Sequence, residues 1–390
     1  MKMILAINAG SSSLKYKIFS VPDEKVIASG MAERIGLKMS DFELKYQGEK
    51  YTEKLPIESI DQAVKILLEA LKKYQVVTDL HEIDGVGHRV VAGGEVFQES
   101  TIIDQAALEK IKELADYAPL HNPGEARAIE AFMNLLPGVP QVGVFDTSFH
   151  HTMDPVHYLY SLPYEYYEKY GIRRYGAHGT SVRYVSKRAC EMVNHNFDKM
   201  IICHLGSGAS VTALEDGKSF DTSMGFSPLA GVTMGTRSGD IDPAAIQLLM
   251  KKEKISFDEA IDILNHKSGL LGISGMSSDM RDLEKSDEPR AILARKIFVN
   301  RIIRYVGSYA VEMGGLDALI FTAGIGEHDK HIVNEICKRL TLLGVKIDPD
   351  KMKYGEESII DTADSKVKVL IVPTDEELMI CRDVSRLAKI

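Results

Sequence analysis

Met200-Ile-Ile-Cys-His-Leu205, Gly206-Ser-Gly-Ala-Ser210 and Val211-Thr-Ala-Leu214 follow one another in a chain of 390 residues, and their reading decides its fold. The outer stretches are apolar and β-prone. The middle one holds two glycines and two serines and almost no side-chain bulk. Two strands joined by such a turn leave backbone N–H groups uncovered and let a ligand come close, which is how a backbone cradles phosphate. The same layout opens the chain. Met3 to Ile7 is an apolar run, Asn8-Ala-Gly-Ser-Ser-Ser13 a small polar turn, and Leu14, Tyr16 and Ile18 alternate with Lys15 and Lys17 as a second strand. Gly10 and Gly208 stand about half the chain apart.

A second echo follows in the same order. Asp84-Gly-Val-Gly-His-Arg-Val-Val91 runs into Ala92-Gly-Gly-Glu95, and Asp317-Ala-Leu-Ile-Phe-Thr322 runs into Ala323-Gly-Ile-Gly-Glu327. Each reads as a buried strand ending in a glycine pair and a glutamate. Two ordered echoes predict two similar α/β lobes. Amphipathic helices lie between the marks. Ser59 or Asp61 caps one that reaches Tyr74 with Val64, Leu67, Leu68 and Leu71 on one face; Asp104 caps another with Leu108, Ile111 and Leu114 inward. Residues 141–145 read as a buried strand ending at Asp146, and 287–313 as a long helix with Ile297, Arg301, Arg304 and Ser308 along one side. Residues 366–372 read as a strand, with a closing helix from Asp375 onward.

Composition narrows the function classes. Hydrophobic residues make up 45% and charged residues 26%, the profile of a soluble globular protein. The net charge is −9 with no run of five Lys/Arg, which argues against nucleic acid and anionic membrane as partners. Cys190, Cys203, Cys337 and Cys381 form no CxxC pair and read as reduced thiols of a cytoplasmic protein. The apolar run at Met3 is too short for a signal peptide, and no stretch reads as a membrane span. Familiar nucleotide motifs fail. Gly217-Lys218-Ser219 has Thr212 where a phosphate loop needs its first glycine. Gly85, Gly206 and Gly324 each open Gly-x-Gly, but Val90, Val211 and Asp329 occupy the last glycine position. Nucleotide binding must come from the paired hairpins.

Several side chains stand where chemistry is carried. Residues 221–240 form a long glycine-punctuated loop with a solitary Arg237 between small neighbours, which reads either as a surface arginine or as an anion clamp. Arg89 lies in or just after a buried strand and needs an anionic partner, a structural carboxylate or a ligand. Asp146 and Glu376 each follow the carboxyl end of a strand, where α/β sheets place ligands. His121, His178 and His204 each sit in tight Gly/Pro-bounded settings; His150 and His151 read as surface or packing.

Taken together these segments resemble the acetate kinase family, carboxylic-acid kinases of the actin and sugar-kinase superfamily. The likeness covers nearly the whole chain and rests on Asn8 to Lys15, His88 to Glu95, Pro119 to Pro123, Phe145 to His150, Arg173 to Ser181, His204 to Ser210, Asp221 to Pro243, Ser268 to Asp282, Phe321 to Glu327 and Pro373 to Leu378. It implies two duplicated, ribonuclease-H-like α/β lobes around an active-site cleft. The N-terminal lobe spans 1–150 and is rejoined by the C-terminal helix at about 383–390; a nucleotide-binding and dimerising lobe spans 151–382. It implies a homodimer that makes acetyl phosphate and ADP from acetate and ATP with Mg²⁺, or with Mn²⁺ in its place. The family's metal-site residues fall on Asn8 and Glu376. Its nucleotide contacts fall on Lys15, on His204, Leu205, Gly206, Ser207 and Gly208, on Asp279, Met280 and Arg281, and on Gly324, Ile325, Gly326, Glu327 and His328. Its carboxylate-binding arginine falls on Arg89, with apolar pocket members Val91, Leu120 and Pro228. Its catalytic acidic residue falls on Asp146 and its transition-state residues on His178 and Arg237. Three positions depart from the family pattern: Ala92 and Val182 stand where histidine is expected, and Ser207 where asparagine is expected.

The chemistry has its own logic. An acceptor carboxylate is ionised at neutral pH, so it needs no general base. The obstacle is its repulsion by the polyphosphate, and cations with positioning overcome it. Asp146 is therefore expected to orient an arginine or the metal. Competing readings are a propionate or butyrate kinase with the same catalytic residues and, from another class, an actin-like or chaperone-like ATPase without a small-molecule acceptor.

Overall fold

The computed structural model describes residues 2–10, 12–119 and 121–390. Leu120 lies outside the described residues. The chain divides into two compact units, one made of residues up to Phe149 with Asp375–Ile390, the other of His150–Thr374.

The first unit is built on an eight-stranded sheet of β1 (Lys2–Ala9), β2 (Ser13–Val21), β3 (Lys25–Glu33), β4 (Ser40–Tyr46), β5 (Glu49–Leu55), β6 (Ile83–Val90), β7 (Thr101–Ile102) and β8 (Gln141–Phe145), in the order β5-β4-β3-β2-β1-β6-β8-β7. β1 to β5 form an antiparallel meander. β6 runs parallel to β1, and β8 parallel to β6. The second unit is built on β9 (Lys199–Leu205), β10 (Ala209–Glu215), β11 (Lys218–Thr222), β12 (Ala318–Thr322), β13 (Ser358–Ile359) and β14 (Lys368–Ile371), in the order β11-β10-β9-β12-β14-β13. β9 to β11 are antiparallel, and β9, β12 and β14 are parallel neighbours. The two sheets thus follow one strand plan, with β1, β2, β3, β6 and β8 answering to β9, β10, β11, β12 and β14. Both sequence echoes fall on equivalent strands.

Helices form where the apolar spacing and caps direct. Ile60–Lys73 buries Val64, Leu67, Leu68 and Leu71, and the Ser59 hydroxyl accepts from the Gln62 N–H at 3.2 Å. Asp104 caps Gln105–Glu113 in the same way. The long helix runs Pro289–Glu312 and buries Ala291, Ala294, Phe298, Val299, Ile302, Val306, Tyr309 and Ala310. The line through Ile297, Arg301, Arg304 and Ser308 is its less buried side, because Phe298, Ile302, Val306 and Tyr309 turn toward the core.

The closing helix, Glu376–Ala388, packs on the first sheet and buries Ile380, Cys381 and Val384 with Ile4, Ala6, Val142 and Val144. The chain therefore returns to the first unit at Asp375, earlier than the return near residue 383 read from the sequence. Glycines permit the close approach. A Cβ on Gly87 would lie 2.3 Å from Ile380 Cγ2, and one on Gly85 2.6 Å from Val384 Cγ1. Each buried aliphatic side chain contributes about 1.5–3 kcal/mol, enough to fix the helix and with it Glu376 at its first turn.

Candidate active site

Parallel strands end together, and in the first unit three of them, β1, β6 and β8, bring polar and charged groups to one edge of the sheet. Arg89, in β6, donates through Nε and Nη2 to Asp146 Oδ2 at 3.0 and 2.6 Å, just past β8. Its Nη1 reaches Asn8 Oδ1 in β1 at 3.4 Å, and its Nε lies 3.6 Å from Glu376 Oε2. Asp146 is fully buried, while the Arg89 side chain keeps 19% of its surface. Burial works against the guanidinium charge, but Asp146 and Glu376 more than offset it and raise the Arg89 pKa. Burial, opposed by Arg89 and reinforced by Asp146, pushes the Glu376 carboxyl up to about 7. Lys15, on β2 opposite Asn8, is another charge acting on Glu376.

An amide oxygen and two carboxylates thus face one guanidinium, an all-oxygen donor set suited to a hard cation such as Mg²⁺. Asn8 and Glu376 fit that role by donor chemistry, and the rise of the Glu376 pKa by burial is what a further positive charge would reverse.

Behind Arg89 the chain is tied down by buried polar groups that the sequence reading missed. The Val91 N–H donates to Glu125 Oε2 at 3.0 Å. Asn122 accepts from the Ala92 N–H at 3.1 Å and donates to the Ala92 carbonyl at 2.9 Å. The Gly93 N–H donates to Thr147 Oγ1 at 3.0 Å. Burial pushes the Glu125 carboxyl up to about 8. The available signal was a glutamate at position 125 among the small residues of Asn122-Pro-Gly-Glu-Ala126.

The second unit holds the other set. His178 and His204 stack, with ring centroids 4.0 Å apart and planes 18° apart. Ser210 Oγ meets His178 Nδ1 at 3.0 Å, and Ser181 Oγ meets His204 Nδ1 at 2.9 Å. The glycine turn lies against them. A Cβ on Gly208 would sit 3.5 Å from Arg237 Nη1 and 3.6 Å from His178 Nε2. Residues 223–242 form neither helix nor strand, yet they are anchored: the Gly235 N–H donates to the Ser207 carbonyl at 2.9 Å, and Arg237 Nη1 donates to the Pro228 carbonyl at 3.1 Å. His178 holds φ +58°, and Ala323, opening the helix Ala323–His328, holds φ +63°. Left-handed backbone at non-glycine residues is held only where surroundings fix it, and it clusters at functional sites.

A cavity of about 790 Å³ lies in this unit. Of the expected nucleotide contacts, Gly206, Ser207, Asp279, Met280, Arg281, Gly324, Ile325 and His328 line it. Ser278, Glu284, Lys285, Asp329 and Tyr354 line it as well and were not foreseen. Tyr354 meets the His328 ring edge-on at 4.3 Å, a contact between segments whose pairing no local pattern reveals. Leu205 is a fully buried core residue and does not line this cavity. Glu327 turns inward, where Oε1 accepts from the backbone N–H groups of Ala323 at 2.6 Å and Thr374 at 3.1 Å. Lys15 belongs to the first unit, apart from this cavity set. Among the expected pocket members, Val91 lies in the first unit and Pro228 in the second. His150 is buried between Ser219 Oγ and the Ala177 carbonyl.

Relatives carry the same plan over their full length. Residues 3–382 match the model of the acetokinase family. Acetate kinase 1 of Latilactobacillus sakei subsp. sakei strain 23K is 56% identical over 393 residues, 99% of this chain and 100% of that protein. Acetate kinase of Bacillus subtilis strain 168 is 52% identical over 395 residues, all of both chains. Crystal structures of Porphyromonas gingivalis acetate kinase (42% identity, TM-score 0.93) and Francisella tularensis propionate kinase (39%, 0.94) each cover 99% of this chain and are themselves covered in full. With its sheets, its charged strand ends and its full-length relatives in agreement, the chain belongs to the acetokinase family.

Proposed function

We propose that the chain transfers the γ-phosphoryl group of ATP to acetate, reversibly, giving acetyl phosphate and ADP. It is a phosphotransferase with a carboxylate acceptor, in keeping with full-length relatives named acetate kinase at over half identity. The observation that carries the acceptor reading is Arg89, a cation held among Asn8, Asp146 and Glu376 with the apolar Val91 two residues on.

In this reading Arg89 receives the acetate carboxylate in a planar fork, and one acetate oxygen attacks the γ-phosphorus while the bond to the β,γ-bridging oxygen breaks. Arg237 and His178 donate to the phosphoryl oxygens, where charge gathers in the transition state. Asp146 fixes the Arg89 plane and abstracts no proton, since the acceptor is already an anion. The second-unit cavity takes the nucleotide; its volume lies in the range of small-ligand sites. Asn8 and Glu376 would hold Mg²⁺, which shields the polyphosphate charge.

Two finer statements complete the reading. The chain forms a homodimer, supported by the exposed Leu162, Tyr164, Tyr166 and Tyr170. It acts in the cytoplasm, supported by four free cysteines; among the described residues no helix is long and apolar enough to cross a membrane. Incubation with ATP, Mg²⁺, acetate and hydroxylamine tests the activity: acetohydroxamate is expected, and ATP hydrolysis without it favours an ATPase instead. The likeness to the Francisella propionate kinase supports a second reading with a longer acid, and kcat/KM for acetate, propionate and butyrate decides between them.

A further inference from the structure

Away from the residues assigned to phosphoryl transfer, the second unit gathers three metal-ligating side chains from three distant segments. His157 lies in the one-turn helix Pro155–Tyr158, Asp221 is next to last in β11, and Glu312 ends the helix Pro289–Glu312. One ligand atom from each lies within 4.8 Å of the others. His157 Nδ1 stands 3.8 Å from Asp221 Oδ2 and 3.7 Å from Glu312 Oε2. These separations are too long for hydrogen bonds. They match the spacing of ligands that surround one ion, since donors each about 2.0–2.2 Å from a metal lie about 3–4 Å apart. We propose that His157, Asp221 and Glu312 form a binding site for a divalent transition-metal ion of the Zn²⁺, Co²⁺ and Mn²⁺ class.

Each ligand is oriented by a second contact, as metal ligands generally are. The backbone N–H of Thr222 donates to Asp221 Oδ1 at 2.6 Å, and Arg174 Nε lies 3.5 Å from the same oxygen, so Oδ2 is the one nearest His157. Ser308 donates to Glu312 Oε1 at 2.6 Å, and Oε2 is the oxygen nearest His157. The His157 ring packs on Phe220 with centroids 4.2 Å apart. Charge agrees. Arg174 offsets one of the two carboxylates, and with a neutral imidazole one negative charge remains for an ion to meet.

An independent observation points to the same place. The Tyr309 hydroxyl, in a side chain only 2% exposed, has no hydrogen-bond partner among the described residues. Tyr309 precedes Glu312 by one helical turn, and Asp221 and Glu312 are among the charges that act on it. Buried hydroxyls are almost always paired, and a water bound to the ion supplies the partner. The mixed nitrogen and oxygen donors favour a transition metal over Mg²⁺. The ion is a clamp rather than a catalyst. It ties β11, where residues 223–242 begin, to the end of the long helix.

The test uses the whole chain, stripped of metal by a chelator and kept in excess Mg²⁺. Zn²⁺ binding is measured by equilibrium dialysis and Co²⁺ binding by visible absorption. One ion per chain is expected. His157→Gln and Glu312→Gln should each weaken binding tenfold or more, with turnover on MgATP and acetate unchanged as the check on folding, and Cys190→Ser should bind as the parent does. Absence of Zn²⁺ binding, equal affinity in parent, H157Q and E312Q, or loss of binding confined to C190S would each overturn the site.

Discussion

The two units share a strand order and differ in what they place at their strand ends. The first brings a guanidinium, two carboxyl groups and an amide together: Arg89 with Asp146 at 2.6 Å, and Asn8 and Glu376 close by. The second brings mostly glycine backbone, serine hydroxyls and two stacked imidazoles around Arg237, next to a cavity of about 790 Å³. Duplication therefore conserved the frame and not the chemistry. A sheet edge that must receive an anion beside another anion needs fixed charge. One that must grip a long polyphosphate needs close backbone approach.

Substitutions that strike one unit should leave the signature of that unit alone. Arg89→Lys keeps the charge and loses the planar fork; turnover should fall about a hundredfold or more, while the ATP dissociation constant measured by calorimetry stays near that of the parent. A normal kcat would remove Arg89 from the chemistry. Asp146→Asn frees Arg89 from its buried partner and should lower kcat about tenfold or more, and breaking such a pair costs about 3–5 kcal/mol of stability. The pH–rate profile should keep both limbs, and loss of a whole limb would make Asp146 a titrating base. In the second unit Arg281→Ala, at the cavity wall, should raise the KM for ATP several-fold with kcat held. A fall in kcat without a KM change would blur the division between the units.

Glu125→Gln should have the smallest effect on turnover and shows instead in the pH dependence of stability. In the folded chain burial holds this carboxyl protonated up to about 8, against an ordinary value of 4.5. The folded state thus binds the proton more tightly than the unfolded one, and the parent loses stability as pH rises from about 4.5 to 8. Glutamine keeps an acceptor for the Val91 N–H and has no proton to lose. Urea midpoints from pH 5 to 8 should decline less steeply in the variant, and parallel slopes would show that Glu125 does not titrate in this range.

The fold was legible because its signals are local and repeated. Gly10 and Gly208, the strands after Asp84 and Asp317, and the caps at Ser59 and Asp104 each declare themselves within a few residues. Arg89, Asp146 and Glu376 could be picked out as chemical residues because each lies at or near a strand end, but their mutual contacts span up to 287 residues of sequence. Glu125 and the inward turn of Glu327 went unread for that reason, since a buried polar partner is chosen by tertiary packing that no period encodes, and the exposed Tyr354 meets His328 through an equally non-local ring contact. The spacing of 287–313 announced a helix but not which side faces the core, and Phe298, Ile302 and Val306 carry the burial.

The closing helix carries one more consequence, for the order in which the molecule is made. Residues 150–374 are contiguous, so the second unit can fold as soon as it has emerged from the ribosome. The first unit begins synthesis first and is completed last, because Gly85 and Gly87 await Ile380 and Val384, and Arg89 awaits Glu376. Translation stopped short of Asp375 leaves the first sheet without its covering helix and Arg89 without Glu376. Arg89, Asp146 and Asn8 lie within the first 149 residues, but Glu376 joins them only after the whole second unit has been made, so the path of the polypeptide delays completion of the first unit.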